Sequence, residues 1–192
     1  MGKGRLEAFS DGVIAIIITI MVLELKVPHE ATAGALLELA PVFLSYVLSF
    51  AFVGIYWNNH HHLLHAAPAI DGRSLWANLH LLFWLSLIPF GSGWMGVNHF
   101  AAMPVALYGV LLLMCGIAYT ILTRALIARN GPQSTLAKAV GRDRKGNASL
   151  VILAVAIAAA PFIPAAALAL YVAVAGLWLI PDRRIEKLIG RG

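Results

Sequence analysis

The sequence has few charged residues and long stretches with none. Only 12% of its 192 residues are charged, whereas 60% are hydrophobic. A soluble domain of this size cannot bury so much apolar surface. Several uncharged runs reach the length of about 20 residues that a helix needs to cross roughly 30 Å of hydrocarbon. The runs are too uniformly apolar for barrel strands, which alternate, so the composition predicts an all-α integral membrane protein.

Cysteine is nearly absent. The single Cys115 excludes an internal disulfide framework, and its apolar surroundings (LLLMCGIAY) favour a buried, inert thiol. The first residues lack the pattern of a secretory signal peptide because acidic residues interrupt the basic segment, so we expect the first helix to be retained. No phosphate-binding loop and no serine–histidine–acid pattern occurs, and we do not expect an enzyme.

The apolar runs predict six transmembrane helices. Four of them cover about 4–27, 33–58, 74–94 and 99–127. The uncharged run from Gly146 to Pro181 is 36 residues long, too long for one span. Pro161 and Pro164 near its middle divide it into spans five and six; a helical hairpin that does not fully cross is the alternative. All six spans form one transmembrane domain, 1–192.

Basic residues are distributed unequally between the loops. With the N-terminus inside, thirteen of the 14 lysines and arginines fall in inside segments and only Lys26 falls outside. The positive-inside rule therefore predicts a multi-pass protein of the cell membrane with both termini cytoplasmic. Topology explains the net charge of +5 better than nucleic acid, which we do not expect as a partner. Contact of Arg142, Arg144 and Lys145 with anionic membrane lipid is a minor addition.

Span one carries charges where an apolar helix is expected. Its uncharged core, Gly12 to Leu23, has 12 residues. Such a segment covers about 18 Å, which is less than the thickness of the hydrocarbon layer. Asp11 must therefore lie at or within membrane depth, where a charged group is costly unless it is paired or hydrated. We expect this helix to be surrounded by protein or to line water.

Helical geometry gives span one two surfaces. Six residues fall within about 100° of arc and form what we call the stripe: Phe9, Gly12, Ile16, Thr19, Ile20 and Leu23. Asp11 falls about 140° from Ile16, and Ser10 about 120° from it in the other direction. Geometry leaves open whether the stripe lines a pore while Asp11 packs against neighbouring helices, or the reverse. Ordinary core packing of the stripe is a third interpretation.

The start of span one resembles a known signature. Arg5, Phe9, Ser10 and Asp11 spell R-x-x-x-F-S-D before an Ile-rich helix. This motif is similar to that of the transmembrane protein 175 family of potassium channels. Six spans, cytoplasmic termini and the aromatic–histidine end of span two (IYWNNHHHLLH) also resemble that family, so the likeness covers essentially the whole chain. It implies a homotetramer with span one lining a pore for potassium ions and other monovalent cations.

The resemblance also implies roles for single residues. By position after F-S-D, Ile16 matches a constriction, Thr19 a pore threonine, and Ile20 and Leu23 further apolar layers. The motif residues match a structural network that joins span one to spans two and three. The sequence has no T-V-G-Y-G loop, so apolar rings would replace the carbonyl filter.

Histidines gather at the end of span two, in the segment HHHLLH. His61 and His65 have a metal-capable i, i+4 spacing, but too few other histidines remain for a di-iron enzyme, and we expect no metal cofactor. One histidine of the segment is expected to contact Asp11. The predicted network includes Trp57, His61 and His80, although the sequence leaves open which of the three adjacent histidines faces inward.

Other functions remain open at this point. A proton-coupled secondary transporter for small solutes would place Asp11 and His80 in its path. His80 is otherwise a polar core partner. Glu24, at the outer end of span one, either concentrates cations or is simply a solvated helix end. A histidine-box membrane enzyme is the third possibility.

Overall fold

The computed structural model describes residues 2–141 and 143–179, in which helices are the regular elements. They are α1 (Lys3–Val22), α2 (Ala33–Glu38), α3 (Ala40–His65), α4 (Gly72–Ser86), α5 (Ile88–Val97), α6 (Ala102–Asn130), α7 (Thr135–Val140), α8 (Arg144–Ala159) and α9 (Pro164–Leu179). The all-α prediction is confirmed. Arg142, Pro181 and the basic residues beyond it, which entered the charge and span arguments, lie outside the described residues.

Three helical segments of the described residues are long and apolar enough to cross a membrane. They are α3, α6 and the joined pair α4–α5, which runs over Gly72–Val97. α1 carries the charges of its first turns, and α8 and α9 have 16 residues each. The crossing of all six predicted spans and the side on which the termini lie therefore stay predictions.

Three of the described helices begin at or just before a proline. α3 begins just before Pro41 and α5 just before Pro89, so each proline occupies a first helical turn. A proline there loses no hydrogen bond, because first-turn N–H groups have no partner within the helix. The long uncharged run is divided between Ala159 and Pro164, as its paired prolines predicted. α3 differs from the prediction: it continues past residue 58 through the histidine segment to His65.

α6 forms the middle of the bundle and contacts α4, α5, α8 and α9. Its Tyr108, Leu112 and Cys115 are buried, and the hydroxyl groups of Ser49 and Tyr108 are 2.9 Å apart across α3 and α6. α1 packs against α3, α4 and α5 at the edge of the bundle. Within a single chain α1 therefore has protein on one side only, and the expectation that it is surrounded by protein or lines water stays a prediction.

α3 and α5 approach each other backbone to backbone at Gly96. A Cβ atom on Gly96 would lie 2.7 Å from the Cα atom of Val42 and 2.5 Å from the Ser45 hydroxyl. The nearby Ser92 donates a hydrogen bond to the Ser45 carbonyl at 3.1 Å. This contact holds α5, and with it the end of the α4–α5 segment, against α3. The α4–α5 segment is in turn one of the surfaces on which α1 rests.

Candidate functional site

One half of α1 faces away from the bundle. The large stripe residues are exposed, Ile16 by 58% and Leu23 by 75% of their surface. The opposite face is buried, with Ile14, Ile17 and Met21 packed against the neighbouring helices. Because the stripe is apolar, water alone is a poor neighbour for it. Within the described residues of one chain, this face has no partner.

The stripe borders an open groove between α1 and the α4–α5 segment. Ile16 and Ile20 line one wall, and Pro89 and Phe90 line the other. Glu24 closes the groove at the end of α1, and its carboxylate lies against Gly93. A Cβ atom on Gly93 would come within 2.9 Å of Glu24 Oε2, so the glycine leaves room for the carboxylate.

Thr19 presents no free hydroxyl hydrogen along the stripe. Its hydroxyl donates to the carbonyl oxygen of Ile16 on the same helix, at 2.9 Å. Threonine commonly satisfies itself against its own helix in this way. The stripe therefore presents an apolar surface with one hydroxyl oxygen that still accepts hydrogen bonds.

The buried face of α1 is held by a chain of hydrogen bonds across three helices. Asn78 Nδ2 of α4 donates to Ser10 Oγ at 2.9 Å, and Ser10 Oγ donates to the carbonyl of Leu6 at 2.8 Å. His60 Nε2 of α3 lies 2.7 Å from Asn78 Oδ1. Because that oxygen can only accept, the arrangement requires the proton of His60 on Nε2. His60 is 1% exposed and Asn78 fully buried.

Such a chain fixes α1 more firmly than apolar packing alone. Leaving one buried donor unpaired costs about 1–3 kcal/mol, so each member constrains the other two. In the described residues every buried side-chain nitrogen and oxygen has a partner. The position and rotation of α1 are therefore set by its neighbours α3 and α4, not by the exposed stripe.

A second contact, separate from this chain of hydrogen bonds, joins Asp11 of α1 to α3. Trp57 Nε1 donates to Asp11 Oδ1 at 3.0 Å, and both residues are exposed. His61 does not bond to Asp11; its ring stacks on Trp57, with centroids 6.5 Å apart. The histidine that faces inward is His60, and it bonds to Asn78 of α4 instead of Asp11.

Three other predicted network residues lie apart from this chain of hydrogen bonds. Arg5 and Phe9 are exposed, and Arg5 makes no hydrogen bond or ion pair with a side chain of the described residues. In the first turn of α1 the contact with α3 is made by Lys3 instead, whose Nζ donates a hydrogen bond to the carbonyl oxygen of His65 at 3.5 Å. His80 accepts a hydrogen bond from Trp84 Nε1 on its own helix, at 2.9 Å.

Asn78 and His60 are the central residues of this chain of hydrogen bonds, and the sequence indicates both only as possible members: Asn78 beside other asparagines, and His60 among three adjacent histidines. In the sequence, both are polar residues close to apolar runs, and this is the only signal that could have pointed to them. Polar neighbours such as Asn58 and His61 carry the same signal but are exposed. Only the packing of α1, α3 and α4 distinguishes them.

Comparison with known proteins identifies the family. A family model described as "Endosomal/lysosomal potassium channel TMEM175" matches residues 5–89, which contain most of α1 and all of α3 and α4. A protein of Chryseobacterium sp. (strain P1-3), "Potassium channel HX13_20290", is 54% identical over 187 residues, covering 97% of each chain. This chain belongs to the TMEM175 family. The resemblance seen in the sequence is confirmed.

Two further TMEM175 proteins extend the comparison. The crystal structure of a lysosomal potassium-selective channel TMEM175 homolog from Chamaesiphon minutus matches with a TM-score of 0.81 and 26% identity. The match covers 93% of this chain and 96% of that chain. The human "Endosomal/lysosomal proton channel TMEM175" is 38% identical over 96 residues, 43% of this chain and 19% of its own length.

Membership in the TMEM175 family makes this an ion-channel protein of a membrane, and ion channels are not a class of enzyme. The apolar helices of membrane length agree with that placement. Within residues 2–141 and 143–179, no group of three or more histidine, cysteine or acidic side chains converges as a metal centre would require.

Proposed function

We propose that this protein is a potassium-preferring cation channel of the cell membrane. Four copies assemble, with α1 of each copy at a common axis and the stripe facing the ion path. The single observation that carries the proposal is the division of α1 into a bonded half and a bare half. Ser10 and Asp11 attach the helix to α3 and α4, while Ile16 stands 58% exposed on the other side.

Apolar rings can account for both gating and ion preference. Four copies of Ile16, with Ile20 further along α1 and Leu23 at its C-terminal cap, would form successive narrow apolar layers. Such a constriction closes when it loses its water. It also favours the ion that sheds its hydration shell more cheaply, and potassium does so more readily than sodium. A modest preference for potassium therefore needs no ring of backbone carbonyls.

The network residues have a structural role in this proposal. Six helical segments cross the membrane with both termini cytoplasmic, so the contact between Asp11 and Trp57 lies towards the cytoplasmic side. That contact and the buried chain through Ser10 keep α1 from rotating. A fixed rotation is necessary because a turn of about 100°, one residue, would remove Ile16 from the axis.

The described residues give little support to a proton-coupled transporter. Asp11 is bonded to Trp57 of α3, whereas His80 is bonded to Trp84 of its own helix. No hydrogen bond in the described part of the chain joins these two protonatable side chains. A relay through both would need a rearrangement of α1 against α4.

Potassium flux into liposomes tests the proposal. Purified protein should carry potassium passively down its gradient, faster than sodium. Ile16→Asn should hydrate the constriction, raising the flux and weakening the preference for potassium. Val22→Asn is the matched control, since Val22 is 45% exposed on the same helix but about 120° from Ile16. Slow flux coupled to protons would favour a transporter, and unchanged flux in Ile16→Asn would remove Ile16 from the constriction.

The mass of the protein in detergent tests the assembly. A particle of four subunits is expected, and a stable monomer that still conducts potassium would contradict it. Asp11→Ala should weaken assembly if Asp11 has the structural role. A stable tetramer with only altered conductance would place Asp11 in the ion path.

A further inference from the structure

We propose that His61 and His65 form a binding site for a divalent transition-metal ion, such as Zn²⁺ or Ni²⁺, and that the bound ion acts on α1 through Trp57. The binding half of the inference stands by itself. The effect on ion flux rests on the proposed channel function. This ion is a reversible regulator and not a resident cofactor.

The two imidazoles are placed for chelation. Residues four apart on a helix lie on the same side, one turn above the other. The ring planes of His61 and His65 differ by 17°, and their centroids are 6.2 Å apart. Both side chains are exposed, and neither ring nitrogen forms a hydrogen bond within the described residues. Histidines at this spacing on a helix hold one zinc ion in known metal sites, with nitrogen–metal distances of about 2.0–2.1 Å.

The chemistry of the donors selects the ion. Imidazole nitrogen suits zinc, copper and nickel, whereas magnesium and calcium prefer oxygen ligands. Two protein ligands leave the remaining positions to water, and therefore favour a site that exchanges its ion. Glu7 is ion-paired near this end of α3 and is not counted as a third ligand. Its Oε1 lies 3.8 Å from Lys3 Nζ, which also donates to the carbonyl of His65.

A short column of rings links this site to α1. The His61 ring stacks on Trp57 at an interplanar angle of 29°, and Trp57 in turn donates its indole N–H to Asp11. Drawing the His61 ring towards His65 changes the surface on which Trp57 rests. The indole is the group that holds Asp11, so an ion at the histidines alters one of the two anchors of α1.

Isothermal titration with ZnCl₂ tests the site, using protein without a polyhistidine tag. We expect one ion per chain, and at least tenfold weaker binding in both His61→Ala and His65→Ala. His62→Ala is the matched control. Its ring is a direct neighbour of His61, with centroids 5.6 Å apart, but it lies off the row of His61 and His65. Unchanged affinity in the His61→Ala/His65→Ala double variant would overturn the site.

Nickel quenching of tryptophan fluorescence tests the link to Trp57 without any transport measurement. Ni²⁺ should quench part of the fluorescence of the wild type, and Trp57→Phe should abolish that part. The double histidine variant should abolish it as well. Equal quenching in Trp57→Phe would show that the ion binds away from Trp57 and would overturn the link.

Potassium flux in the presence of Zn²⁺ tests the effect on α1. Saturating Zn²⁺ should change wild-type flux at least twofold and leave the double histidine variant unchanged. Flux that is normal but insensitive to Zn²⁺ would overturn the action on α1. Absence of flux from the wild type would instead contradict the proposed channel function, and the titration and quenching results would still decide the site.

Discussion

Replacing Asn78 by alanine tests whether the buried hydrogen bonds hold α1. The substitution removes both amide contacts, so the Nε2 proton of His60 loses its acceptor and Ser10 loses its donor. His60 is 1% exposed, and little water can replace the lost partner. Asn78→Ala therefore disconnects α1, α3 and α4 at one point.

The expected loss of stability can be bounded. An unpaired buried donor costs about 1–3 kcal/mol. Hydrogen bonds between helices of membrane proteins have averaged only about 0.6 kcal/mol, because the unfolded chain in the bilayer also finds partners. The missing side chain adds a small cavity, with a cost of order 1 kcal/mol. We expect Asn78→Ala to lower the free energy of unfolding by about 1.5–4 kcal/mol.

Reversible unfolding in mixed detergent, followed by circular dichroism, measures this loss. Asn58→Ala is the matched control, because Asn58 is an exposed asparagine on α3, two residues before His60. A double-mutant cycle with Ser10→Ala should give a coupling energy above about 0.5 kcal/mol. The reasoning fails if Asn78→Ala and Asn58→Ala are equally stable, or if the cycle is additive.

Two further predictions concern the scaffold. Gly96→Ala should lower the unfolding temperature, because the added Cβ atom would lie 2.7 Å from the Cα atom of Val42. Gly54→Ala is the control and should leave the unfolding temperature unchanged, because the space around Gly54 is open. Equal unfolding temperatures for the two variants would contradict the backbone contact. Asp71 caps α4, and hydrogen bonds from the backbone N–H and the hydroxyl of Ser74 hold the pKa of its carboxyl below the ordinary value. That contribution is present above the unfolded pKa, about 3.9, and is lost as the pH falls through the lower folded pKa. Asp71→Asn should therefore be less stable than the wild type at pH 7 and approach it in acid, as thermal unfolding across a pH series would measure; a constant difference would contradict the argument.

Local chemistry made the helices predictable. The length of an apolar run and the lost N–H of a proline act within a few residues, so the break before Pro164 follows from the sequence. The new helices that begin at Ala40 and Ile88 are not predicted, because both positions lie inside runs that the sequence presents as single spans. The end of α3 was harder to predict, because the polar histidines follow the apolar run and so indicate that the membrane span has ended. The helix continues because Leu63 and Leu64 still face the bundle and are buried.

The inward histidine could not be predicted because it depends on distant contacts. His60 and His61 are about 100° apart on α3, and both are capable of bonding to a neighbour. The crossing of α3 with α1 and α4 decides between them. That crossing places His60 against Asn78, 18 residues later in the chain, and His61 on Trp57.

The place of α1 shows the same limit at a larger scale. Asp11 was expected to be paired or hydrated, and it accepts a hydrogen bond from Trp57, whereas Arg5 pairs with no described side chain. Neither charge requires protein on every side of the helix. The stripe side of α1 is exposed in a single chain, and the sequence of that chain does not say which surface covers it in an assembly.

The accessibility of a thiol at position 16 tests the central claim most directly. The single native Cys115 is buried, so one substitution, Cys115→Ser, gives a background free of cysteine. In that background, Ile16→Cys should let Ag⁺, a thiol-reactive cation close to potassium in size, abolish potassium flux. Val151→Cys on α8, 64% exposed but away from α1, should conduct as before. Loss of flux only at position 16 is the predicted result; undiminished flux through Ile16→Cys in silver would contradict a pore lined by α1.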